Sequence, residues 1–150
     1  MIQRIQSVYL FVAAASIVAM FFFPVANFYG DTYYFFLKLG GISDDTYVSI
    51  NTIPLIVMAA ILIVMVFLGI FAFRNRLLQI KLIRFAVLLN LAFIIIIYFG
   101  YIDNIVKKAD VEVQYQTGVY FPLIVLIFLI LAMRGVMNDE KKVRAADRLR

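Results

Sequence analysis

MIQRIQSVYLFVAAASIVAMFFFPVANF, residues 1–28, decides what kind of fold this chain has: it is either a removable export leader or the first of several membrane anchors. A leader carries an apolar core of about 7–15 residues and then a small-x-small cleavage site. Here the apolar run is longer, about 8–25, and it ends in FFFPVANF, with Pro24 two residues before Ala26. The stretch therefore reads as a retained helix, and the remaining apolar runs read as its partners in a bilayer.

Composition points the same way. Of 150 residues, 65% are apolar, and the mean hydropathy is +1.00, whereas soluble domains hold roughly 45–50% apolar residues. There is no Cys, which excludes disulfides, thiolate metal sites and cysteine nucleophiles, and no His, which removes the commonest general base and metal ligand. No enzyme activity, cofactor or metal site is expected. An intramembrane hydrolase would need a nucleophile with a base or metal, and the spans hold no paired carboxylates.

Four runs are apolar enough to cross a bilayer, which takes about 20 residues at 1.5 Å of rise each. They cover about 8–25, 53–73, 85–102 and 119–137. The fourth is short before Arg134, but that side chain can snorkel and Gly135 to Met137 add another turn. The expected fold is an all-α membrane protein, a four-transmembrane-helix bundle in one domain over 1–150. Loops 26–52 and 103–118 then lie outside the cytoplasm, with loop 74–84 and tail 138–150 inside it.

Orientation follows from the cations. One side holds eleven Lys and Arg: Arg4, Arg74, Arg76, Lys81, Arg84, Arg134, Lys141, Lys142, Arg144, Arg148 and Arg150. The other holds three, Lys38, Lys107 and Lys108, together with six acids, Asp31, Asp44, Asp45, Asp103, Asp110 and Glu112. By the positive-inside rule both termini are cytoplasmic.

Both outer loops carry strand signals. The first has an aromatic stretch, Phe28, Tyr29 and Tyr33 to Phe36, then Gly40 and Gly41, then a β-prone YVSI at 47–50, so a hairpin turning near the Gly pair is expected. The second alternates Val111, Val113 and Tyr115 against Glu112, Gln114 and Gln116 before a helix resumes near Pro122. These segments could pair into a small sheet capping the bundle; the plainer reading, favoured because Tyr so often marks that depth, is that the aromatics form an interfacial belt, and the two are compatible.

No acid or base sits centrally in any span, which disfavours a secondary transporter. Asn90 is the strongly polar side chain well inside a span, with Ser16 weaker. Its amide reads first as an interhelical contact worth roughly 0.6–2 kcal/mol, and second as a substrate contact. Gly69, Pro24 and Pro54 read as structural, the prolines sitting near span ends where they cost little.

The inner face is the most pointed part of the chain. FRNRLLQIKLIRFAVLLN, residues 73–90, spaces four cations among apolar residues. MNDEKKVRAADRLR, residues 137–150, places Val143, Ala146 and Leu149 at threefold spacing and Glu140 four residues before Arg144, the pattern of a short basic amphipathic helix. Such a helix can lie on anionic headgroups, at about 1 kcal/mol per cation. It can also dock a protein or the ribosomal RNA of a ribosome; DNA is not an expected partner.

The opening MIQRIQSVYL, the middle FRNRLLQIKLIR and the end NDEKKVRAADRLR together resemble the small four-span membrane family of Bacteroidota catalogued as domain of unknown function 4293. Its motifs fall here on Asn75, Arg76, Leu78, Gln79, Lys81 and Arg84, and on Asp147, Arg148, Leu149 and Arg150. The resemblance implies an inner-membrane protein and carries over no activity, cofactor or catalytic residue. All three segments lie on the cytoplasmic side, where Gln3, Arg4, Gln6, Arg74, Asn75, Arg76, Gln79, Lys81, Arg84, Lys141, Lys142, Arg144, Arg148 and Arg150 form the candidate docking set. Amides are poor choices for attracting lipid alone, so the leading reading is a non-catalytic accessory subunit of a larger inner-membrane complex of integral membrane proteins, a protein-export translocon being one such assembly. The alternative is a small transporter or lipid-handling protein with a cavity between its helices, near Asn90.

Overall fold

The structure, a computed structural model, describes residues 2–30, 34–42 and 51–147. Helix α1 spans Ile2–Ala19 and loosens into single turns, with the Phe22 N–H on the Ala19 carbonyl at 3.0 Å, until Pro24 ends it. Strands β1 (Ala26–Tyr29), β2 (Tyr34–Lys38) and β3 (Gly41–Ile42) follow. Helix α2 spans Ile53–Phe71 with Pro54 in its first turn, where a missing N–H is harmless. One 3-10 turn, Ala72–Arg74, leads into α3, Arg76–Ile95.

Helix α3 does not stop at its end. It widens into a π-helical segment, Ile96–Ile102, and continues as α4, Asp103–Ala109. The π turn shows in the Asp103 N–H, which reaches back five residues to the Tyr98 carbonyl, while the Asn104 amide donates to the Gly100 carbonyl at 2.7 Å. Asp110, left-handed at φ 49°, closes the helix. Strand β4 (Glu112–Tyr115), a 3-10 turn (Thr117–Tyr120) and α5 (Phe121–Asp147) complete the chain.

Among the described residues three helices are long and apolar enough to cross a membrane: Ile53–Phe71, Arg76–Lys108 and Thr117–Val143. The apolar part of the first helix, Ile5–Ala19, is shorter. The fourth apolar run, which looks short before Arg134, lies on a 27-residue helix that passes through Arg134 unbroken.

Each helix packs mainly on two neighbours, α1 on α5 and α2, and α3 on α2 and α5, so the four long helices close a ring in the order α1, α2, α3, α5. The buried faces recur every three or four residues: Leu10, Ala13, Ala14 and Ile17 on α1, Leu55, Ala59, Leu62 and Val66 on α2, Val125, Leu129, Ala132 and Val136 on α5. Phe11, Phe71, Leu88 and Ile127 stand exposed on the outside, a surface suited to lipid and not to water.

The expected cap is present as a four-stranded antiparallel sheet in the order β3-β2-β1-β4, so it joins the two loops. Phe28 sits opposite Phe35 on one side and Val113 on the other. Ala26, Phe28, Phe35 and Leu37 are buried on the inner face, and Phe28 stacks on Phe35 at 5.1 Å. The β2–β3 turn falls at Leu39 and Gly40, as the Gly pair suggests, and Gly41 adopts φ 151°, a conformation open to glycine. The YVSI stretch at 47–50 lies outside the described residues.

Candidate functional site

The ends of α1 and α5 and the α2–α3 turn meet at one end of the ring, opposite the sheet. This basic end is built from two polar clasps. In the first, the Gln6 amide of α1 donates to the Asp139 carboxylate of α5 across 133 positions of sequence. Gly135 makes room for it: a Cβ there would lie 2.9 Å from Gln6 Cγ. In the second, the Gln79 amide of α3 donates to the Gly69 carbonyl of α2 at 2.9 Å. That carbonyl belongs to the last turn of a helix, where intrahelical donors run out. Asn75 starts α3 as its N-cap, its side-chain oxygen accepting from the Leu78 N–H at 3.1 Å.

These bonds sort the candidate docking residues. Gln6 and Gln79 are buried, at 3% and 4% exposure, and a buried amide already bonded inside the molecule offers nothing to a partner. They belong to the internal scaffold and not to a docking face. Asn75 is exposed, with its oxygen committed to the cap. Lys81 and Arg84 on α3 and Arg134, Lys141 and Lys142 on α5 are exposed, and Arg76 is half-buried. The cations thus stand on two neighbouring helices of the ring. The side chains of Gln3, Arg4, Arg74 and Arg144 lie outside the described ones, and Arg148 and Arg150 outside the described residues.

The tail differs in kind from a surface helix. Residues 138–147 are the direct continuation of α5, with no break after the apolar run. Twenty-seven residues at 1.5 Å make about 40 Å of helix, roughly 10 Å more than a hydrocarbon core.

Asn90 is 1% exposed, and its amide donates to the Pro122 carbonyl at 3.0 Å, fastening α3 to the start of α5. This is the interhelical contact; Asn90 lines neither of the described cavities. Ser16 returns its hydroxyl to the Val12 carbonyl at 2.8 Å on its own helix. A Cβ on Gly69 would make ordinary contacts at 3.7 Å to Leu10 and 3.8 Å to Ile83, so its use lies in its carbonyl. Among the described residues no three His, Cys, Asp or Glu side chains gather as metal ligands.

The model of the family described as Domain of unknown function (DUF4293) matches residues 2–149. The chain belongs to that family. The match runs through both clasps of this DUF4293 chain, Gln6 with Asp139 and Gln79 with Gly69, and through its sheet. A comparison with curated proteins finds no match.

Sequence reasoning missed Gly135 and Asp139 as the counterparts of Gln6, and Gly118, whose N–H donates to the Pro24 carbonyl at 2.9 Å where α1 ends and α5 begins. No local signal marks pairs so far apart in sequence. The Asp103–Lys107 ion pair, at 2.6 Å, was missed as well, because residues 103–118 were read as a loop, although its i,i+4 spacing is a local signal that could have found it.

Proposed function

We propose that this protein is a non-catalytic, four-span subunit of a bacterial cytoplasmic membrane, with both termini cytoplasmic, that docks a larger membrane assembly through its basic end. The observation that carries the reading is the unbroken α5. A helix that lies on headgroups must break or bend where it leaves the hydrocarbon; α5 continues as one unbroken helix to Asp147. From Met137 to Lys141 is about 6 Å, the depth of one headgroup layer, so the helix over residues 143–147 stands in water. Anionic lipid accounts for the cations at the membrane surface, Arg134, Lys141 and Lys142. It does not account for a projection past them, which suits a protein partner.

The two clasps support the same reading. They fix α1 to α5 and α2 to α3 at the end where the cations lie, and so hold Lys141 and Lys142 in place against α1 and Lys81 and Arg84 in place against α2. A pre-ordered face loses less entropy on binding than a loose one. The ring gains its fourth span from α1, whose apolar part is short but lies between two spanning neighbours.

The test is purification from native membranes in mild detergent through a tag after Arg150, followed by mass spectrometry. The expected result is a stoichiometric integral membrane partner that is lost when Lys81, Arg84 and Lys142 are reversed to Glu. A monodisperse monomer with no co-purifying membrane protein would overturn the reading, as would a partner indifferent to those reversals.

A further inference from the structure

At the sheet end, where the long third helix leaves its apolar stretch, the protein holds a cavity of about 650 Å³. Its lining combines Phe99 and Ile102 from the π-helical segment, Asp103, Val106 and Lys107 from α4, and Val113 from β4. Tyr98 and Tyr115 each bring a phenol to it, their rings 6.0 Å apart. The volume lies within the roughly 300–1,000 Å³ of small-molecule sites. The π turn beside it matters too, since such turns gather at functional sites.

Depth identifies the ligand class. Between Arg84 and Asp103 the helix carries no charge, and those nineteen steps rise about 28 Å, close to the thickness of a hydrocarbon core. Asp103 and Lys107 therefore stand at headgroup level, while Phe99, 71% exposed, lies one turn deeper on the lipid side. The rim carries one cation and one anion, 2.6 Å apart, with side chains 70% and 44% exposed. A net-neutral rim of this kind repels a purely anionic headgroup at Asp103 as much as it attracts it at Lys107. It complements a headgroup that itself carries both charges.

We propose that this cavity binds one phospholipid with a zwitterionic phosphoethanolamine head, its phosphate toward Lys107, its ammonium toward Asp103, and its chains running past Phe99 into the bilayer. The site is independent of the docking face, which lies at the other end of the ring.

The test uses full-length protein reconstituted in vesicles of equal phosphatidylethanolamine and phosphatidylglycerol, extracted in mild detergent and weighed by native mass spectrometry. Wild type should retain the ethanolamine lipid at least about fivefold over the glycerol lipid. Asp103→Lys, which makes the rim doubly cationic, should invert that preference, and Val106→Trp, which crowds the cavity, should diminish retention of both. Retention in the bulk ratio, or no retention, by wild type would overturn the proposal. So would an unchanged ratio in Asp103→Lys, or undiminished lipid on a Val106→Trp protein that melts within a few degrees of wild type. If Val106→Trp fails to fold, Asp103→Lys decides alone, since that side chain is nearly half exposed and has room to change.

Discussion

Gly118 and Gly69 provide a matched pair whose outcomes should differ in sign. At Gly118 a Cβ would lie 2.4 Å from the Pro24 carbonyl oxygen and 2.9 Å from that of Phe23, both backbone atoms that no rotamer change can move. Gly118→Ala must push the start of α5 away from the end of α1 by several tenths of an ångström. The 2.9 Å Gly118–Pro24 hydrogen bond breaks, and the neighbouring Gln116–Val25 bond, at 3.0 Å, is strained. One lost backbone bond costs about 1 kcal/mol, and the displacement of packed segments adds about 1–3, for a total of roughly 2–4 kcal/mol. At Gly69 the same methyl group meets only Leu10 at 3.7 Å and Ile83 at 3.8 Å. Within a helix, Gly→Ala there should stabilise by about 0.5–1 kcal/mol. Thermal unfolding in a mild detergent, followed by size-exclusion chromatography of each heated sample, reads both. Equal melting temperatures for the two variants would refute the assigned close approach of α5 to the end of α1.

Asn75→Ala should lower stability by about 1 kcal/mol through loss of the α3 cap, and Asn75→Ser should restore most of it, measured by the same melt. Gln79→Met keeps volume but removes the bond to the Gly69 carbonyl, a loss of about 1–2 kcal/mol with the α2–α3 turn becoming more open to protease; resistance equal to wild type would contradict the clasp. The chain has no cysteine, so single-cysteine labelling is clean. An impermeant maleimide should reach Tyr34→Cys from outside intact cells and Lys142→Cys only after permeabilisation, and the reverse pattern would invert the proposed orientation.

The three long apolar helices were legible because a bilayer imposes a length on each run and leaves few alternatives. The sheet was partly legible: the alternation of Val113 and Tyr115 against Glu112 and Gln114 carries the period of a strand, and it is β4. Its pairing with β1 was not, since the Phe28–Val113 register joins segments that no local pattern connects. Gln6 and Gln79 were read as surface residues because they stand among cations, and only tertiary structure shows that each faces inward to a partner on the next helix. The π segment was invisible because IIYFGYI differs from ordinary apolar helix by one residue of slack, which no composition records.

Helix order was beyond reach for a deeper reason, and the buried amides resolve it. Between apolar helices in lipid there is no hydrophobic force to choose neighbours, so shape alone leaves several ring orders close in energy. A buried amide without its partner costs about 1–3 kcal/mol, which is enough to reject a wrong neighbour. Gln6 with Asp139 selects α1 beside α5, Gln79 with Gly69 selects α2 beside α3, and Asn90 with Pro122 selects α3 beside α5. Three adjacencies determine a ring of four, and the last, α1 beside α2, follows with Leu10 packed at Gly69. Replacing Gln6 and Asn90 together by Leu removes both selections that involve α5 while keeping the core apolar. The double variant should stay helical and membrane-inserted yet lose its single arrangement, seen as falling cross-linking yield between cysteines at Ala13 and Leu129. An undiminished yield would mean that packing alone specifies the ring.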